Sequence, residues 1–77
     1  MDTKYLLIVT KWTGESRYSK VDVIEFNSLI EALKEEREFK KEFIHMPYSY
    51  TEIRRKDEKE FTEEENLIIY NFFNCFI

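Results

Sequence analysis

The sequence predicts a small α+β domain built β-β-α-β-α. It is a three-stranded antiparallel sheet in the order 2-1-3, with helices over residues 28–44 and 63–76. Three observations carry this prediction. Tyr5-Leu6-Leu7-Ile8-Val9 is apolar on both faces, as a central strand is. Residues 27–44, NSLIEALKEEREFKKEFI, repeat apolar side chains at helical spacing. The only glycine, Gly14, lies in Thr13-Gly14-Glu15-Ser16-Arg17, which suits a hairpin loop joining the first two strands.

The first strand continues through Thr10-Lys11-Trp12, where the pattern begins to alternate. A strand apolar on both sides is covered on both sides, or covered on one and packed on a partner through the other. Tyr18 to Phe26 alternates throughout. Ser19, Val21, Val23 and Glu25 fall on one face; Tyr18, Lys20, Asp22, Ile24 and Phe26 fall on the other. That mixture suits a half-exposed strand, and Asn27-Ser28 turns directly into the helix.

Ser28 and Glu31 have the spacing of a capping box, in which hydroxyl and carboxylate reciprocally satisfy two free N–H groups. Leu29, Ala32, Phe39 and Phe43 form the apolar stripe, and Ile30, Leu33 and Ile44 widen it. Glu36 interrupts the stripe, so the tightest packing is expected in the first half. Glu36 and Lys40 are an i,i+4 pair in the favourable order, worth roughly 0.3–0.5 kcal/mol. Pro47 disfavours helical geometry at Met46 and ends the element. Phe39, Phe43 and Ile44 are expected to pin its last turns.

Residues 48–55, YSYTEIRR, favour a third strand at an edge, with charges that discourage further pairing. Residues 56–60 are a charged connector. Thr62 and Glu65 repeat the capping-box spacing, and Glu63, Glu64 and Glu65 lie at the positive end of the second helix. On that helix Glu63, Asn66, Tyr70, Asn71 and Asn74 share one side, with Leu67 the apolar exception. Ile68, Ile69, Phe72, Phe73, Cys75 and Phe76 cover the rest.

At 77 residues there is room for one domain, 1–77, with a thin stability margin. A single cysteine excludes an intrachain disulfide, and a single histidine argues against a histidine-based metal site. A net charge of −4 argues against nucleic-acid binding, which needs a basic surface. No apolar run approaches the ~20 residues of a membrane span. No secretory leader is legible at the start either, so a cytoplasmic location is expected and no membrane partner. Residues with AT-rich codons (Phe, Tyr, Met, Ile, Asn, Lys) far outnumber Gly, Ala, Arg and Pro. This composition points to an AT-rich bacterial or phage genome.

No catalytic set emerges. His45 stands where a helix ends, without a nucleophile placed near it by any motif. Cys75 has no basic neighbour in sequence to activate it. The glutamates read as surface and capping charge. No phosphate loop, dinucleotide fingerprint or metal spacing is present, so no enzyme activity and no cofactor are expected. Two constellations remain. Tyr48, Tyr50, Arg54 and Arg55 offer stacking surfaces and guanidinium forks that suit an anionic ligand such as a nucleotide. Ile69, Phe72, Phe73, Phe76 and Ile77 make a very apolar end that needs its own core or another chain to cover it. The expectation is a non-catalytic protein–protein interaction module. It would be homo-oligomeric and would bind another protein, as a phage or mobile-element accessory protein that inhibits a host protein does. The alternative is a small protein that binds or sequesters a nucleotide.

Overall fold

The computed structural model describes residues 3–12, 19–45 and 48–74. Strand β1 (Tyr5–Trp12) is central, with β2 (Ser19–Phe26) and β3 (Tyr50–Arg55) antiparallel on either side, giving the order β2-β1-β3. Helix α1 (Leu29–Phe43) joins β2 to β3, and α2 (Glu63–Asn74) follows β3. The architecture is the predicted α+β one. The third strand starts later than residue 48, because Tyr48 has φ 67°, a left-handed conformation that cannot extend a strand.

Register decides which side chains share a face. Tyr5 lies opposite Phe26 and Arg55, Leu7 opposite Ile24 and Ile53, and Val9 opposite Asp22 and Thr51. This face carries the helices. Leu7 and Val9 are 0% exposed on it. Tyr5 joins Leu29, Ala32 and Leu33 of α1 and Phe72 of α2 in one cluster, with Phe26, Ile53, Phe61 and Ile69 packed around it. Each large side chain fully buried there contributes about 1.5–3 kcal/mol. Both helices therefore lie on one side of the sheet, and the Cα atoms span only 16 Å in the thin direction, the depth of two layers.

The helices differ from expectation in informative ways. Ser28 makes no side-chain capping bond; the start of α1 is held by the Ala32 N–H to the Ser28 carbonyl (3.2 Å) and by burial of Leu29. Glu36 does not break the stripe but is buried within it. It faces β3, where the Thr51 hydroxyl donates to it at 3.0 Å and Lys40 pairs with it at 3.4 Å. Ile44 is 75% exposed rather than pinning the helix. It lies one residue past the last helical residue, Phe43, at the C-cap of α1. Phe39 and Phe43 are half-buried, with centroids 6.1 Å apart and Lys11 over the Phe39 ring.

Leu7→Ala should lower the unfolding free energy by about 2–5 kcal/mol, because the helices and flanking strands cannot collapse fully into the space left. Urea denaturation reads this directly; an unchanged midpoint would remove Leu7 from the core.

Candidate functional site

Among the described residues, no helix covers the second face of the sheet. Alternation along β1 turns Leu6, Ile8, Thr10 and Trp12 to it, opposite Glu25, Val23 and Val21 on β2 and Arg54, Glu52 and Tyr50 on β3. Val21 and Val23 are 56% and 58% exposed and Tyr50 is 59% exposed, while Leu6 and Ile8 are half-buried between their neighbours. Val21, Val23 and Tyr50 thus form an exposed apolar area on this face. Trp12 extends it at one end. Its backbone N–H donates to Ser49 Oγ (3.1 Å), and the Tyr48 ring meets the Trp12 ring edge-on at 5.5 Å. The left-handed backbone at Tyr48 costs on the order of 1–3 kcal/mol for a bulky residue, and such strain concentrates at functional sites.

The other end of this face is charged. Glu25 is paired with Lys56 (2.5 Å), reaching over from beyond β3, and with Lys4 (3.7 Å). The Lys56 hydrogen bond, helped by Lys4, holds the Glu25 carboxyl below its ordinary range despite some loss of hydration. Arg54 donates to Glu52 at 2.8 Å along β3. The surface is thus an apolar centre with a polar margin.

The sequence-derived ligand cluster divides across the sheet. Tyr48, Tyr50 and Arg54 lie on the open side. Arg55, adjacent in a strand, points to the helix side. There its guanidinium forks onto Asp57 (3.1 and 2.7 Å) and reaches Glu65 (2.8 Å). A groove of about 710 Å³ runs beside β3, lined in part by Leu6, Ile8, Arg54, Lys56, Lys59 and Phe61. Glu52 and Glu58 share its wall.

On the covered side, Glu65 is the centre of a buried polar network. Its Oε1 accepts from the Thr62 N–H (2.9 Å) and from Arg55; its Oε2 accepts the Tyr5 hydroxyl in a short bond. The Glu65 N–H donates to Thr62 Oγ1 at 3.2 Å, which completes the second capping box. Burial is the largest single influence on the Glu65 carboxyl and favours its neutral form. The bonds from Thr62, Tyr5 and Arg55 together outweigh it and hold the group below its ordinary range. Burial pushes the Tyr5 phenol up to about 12, and the bond to Glu65 adds to the shift. This carboxylate, read from sequence only as a cap, is what ties α2 to β1 and β3.

Of the residues expected at an oligomer interface, Ile69 packs around the chain's own core and Phe72 is buried in it. Phe73 is partly exposed, with Lys40 4.9 Å above its ring. Phe76, Ile77 and Cys75 lie outside the described residues. His45 is exposed where α1 ends. Val21, Val23, Leu6 and Ile8 were not singled out as a site in sequence, although the alternation of the second strand and the double apolarity of the first already placed them on one surface. Among the described residues, no cluster of His, Cys, Asp and Glu could hold a metal ion, and no helix is long and apolar enough to cross a membrane. No known protein family, curated protein or solved structure matches the chain.

The Tyr5–Glu65 bond gives stability a dependence on pH. Tyr5 has a raised value, so its contribution is complete below its ordinary 10.0 and is lost as pH rises towards about 12. Glu65 has a lowered value, so its contribution is present above its ordinary 4.5 and is lost on acidification through the depressed value. Tyr5→Phe should cost about 1–3 kcal/mol at neutral pH. In urea midpoints measured from pH 7 to 12, the gap between wild type and variant should narrow above pH 10. A constant gap would show that the phenol proton is not held by Glu65.

Proposed function

We propose that this chain is a non-catalytic protein-interaction module and that the open face of its sheet is the binding surface. The observation that carries this reading is the side of the sheet formed by Leu6, Ile8, Trp12, Val21, Val23 and Tyr50 around the buried Thr10, against which no helix of the described chain packs. Burying what remains exposed of Val21 and Val23 against a partner would contribute roughly 1–1.5 kcal/mol each. The small size and acidic charge suit an accessory protein that acts by covering part of another protein, and inhibition is the effect such covering would have.

The alternative, an anionic-ligand binder, draws on the groove beside β3. What weighs against it is the state of three of its four cations. Arg54 is engaged by Glu52, Arg55 by Asp57 and Glu65, and Lys56 by Glu25. A phosphate would have to displace carboxylates already within hydrogen-bond distance.

Val21→Lys combined with Val23→Lys should leave the fold intact, since both side chains are exposed in the isolated chain, and should abolish partner binding. Circular dichroism in dilute solution checks the fold, and affinity capture with wild type and variant side by side checks binding. A partner held equally by both would move the binding surface elsewhere.

A further inference from the structure

We infer that the outer edge of β2 pairs antiparallel with β2 of a second copy, about a two-fold axis that passes beside Val21 and is perpendicular to the sheet. The inference concerns the rim of the sheet and does not depend on what the open face binds. Its first basis is the state of that rim. β2 pairs with β1 along its whole length and, among the described residues, with no other strand. The register runs without a bulge or a proline from Ser19 to Phe26, so the outer N–H and C=O groups are a regular template for another strand. The opposite rim differs. Lys56, Glu58, Lys59 and Phe61 wall the groove beside β3, and Arg55 reaches the Glu60 carbonyl there.

The second basis is charge. Lys20 and Asp22 flank Val21 and share the helix-side face of β2. Lys20 lies opposite Lys11, a like charge that is itself paired with Glu42. Asp22 lies opposite the buried Val9. Among the described residues neither Lys20 nor Asp22 has an ion pair. Directly opposite residues in an antiparallel pair point to the same face, so a two-fold between identical strands is centred on a residue, and each centre is one register. Centred on Lys20 or Asp22, it sets a charge against its own copy. Centred on Val23, it sets Asp22 against Ile24 and Val21 against Glu25. Centred on Ile24, it sets Asp22 against Phe26 and Val23 against Glu25. Centred on Val21, it sets Lys20 against Asp22 of the second copy, Asp22 against its Lys20, and Val21 against Val21. Cross-strand partners stand about 4.5–5.5 Å apart at Cβ, where opposite charges attract and like charges repel. A rim guarded by one sign of charge turns copies away; alternation of sign about Val21 makes this rim self-complementary, as a two-fold contact requires. The dimer is a continuous six-stranded sheet with all its helices on one side. Its new ladder spans only Ser19 to Val23 in each described chain, a small contact, so association is reversible.

Sedimentation equilibrium on the full chain, from micromolar to millimolar concentration at low salt, tests this. Wild type should move from 9.5 kDa towards twice that mass. Lys20→Asp sets acids against acids across the axis, and Asp22→Lys sets bases against bases. Each should raise the dissociation constant roughly tenfold or more, because two attractive pairs become two repulsive ones. An equimolar mixture of the two variants should associate about as tightly as wild type, since each offers the other the charge it lacks. Lys20→Asp also places an acid opposite Lys11 of its own chain, which favours the fold, and circular dichroism of both variants in dilute solution establishes that they are folded. A folded wild type that stays at 9.5 kDa throughout overturns the inference. So does a dimer that either reversal leaves unchanged, or a pair of folded variants that stay apart when mixed. Both substitutions lie on the helix side of the sheet, so capture of a different protein through Val21 and Val23 is tested separately and stands or falls by itself.

Discussion

The structure depends on one constraint: β1 is apolar on both faces and sits in the middle of a three-stranded sheet. Apolar surface left in water is costly at roughly 25 cal/mol per Å². Alternation guarantees that one layer of helices can answer for only half of it. Tyr5, Leu7 and Val9 are satisfied by that layer. Leu6 and Ile8 lie outside the core cluster and are half-buried. Covering the second face would take another layer, and α2 lies on the same side as α1, because its anchor, Phe72, joins Tyr5 and Leu33 in a single cluster.

Why α2 goes there is a matter of charge as much as of apolar contact. Its apolar residues spread widely round the helix, and Leu67 and Tyr70 remain exposed. The stripe that docks is Glu65, Ile69 and Phe72. Glu65 enters the interior with Thr62, Arg55 and Tyr5 bonded to it, and every buried side-chain polar atom among the described residues has a partner. A buried ion pair adds little net stability over an apolar pair, yet breaking one is expensive. The network therefore acts to fix where α2 docks. On α1 the buried Glu36 accepts the Thr51 hydroxyl of β3 and ties the helix to that strand, while Lys40, one turn on, pairs with the same carboxylate.

Much of this was legible in the residues. Period-two alternation from Ser19 to Phe26, helical spacing from Leu29 to Phe43 and a lone glycine between two strand-like runs were enough for the element order and the sheet order. Charges were harder. Glu36 and Glu65 carry the same side chain as the solvated glutamates beside them. Only tertiary partners far away in sequence, such as Tyr5 to Glu65, make them interior residues. Both capping boxes had correct spacing, yet only Thr62–Glu65 formed; spacing permits the reciprocal bonds but does not fix the rotamers. Arg54 and Arg55 were read as a pair because they are neighbours in sequence. In a strand, neighbours point to opposite faces, so adjacency is what separates them.

That separation has a consequence for specificity. Arg55 is consumed in the interior, which leaves Arg54 as the arginine of the open side, with Glu25 across the sheet from it. A wholly apolar face on a small domain would adhere to any similar surface, in any orientation. Charges at one end restrict this, because a partner must either keep Glu25, Lys56, Arg54 and Glu52 in water or offer them opposite charges. On the proposed reading, the apolar centre at Ile8 and Val23 would supply attraction and the charged margin orientation. A domain too small to bury both faces of its central strand would gain from this arrangement a second face that is adhesive yet selective.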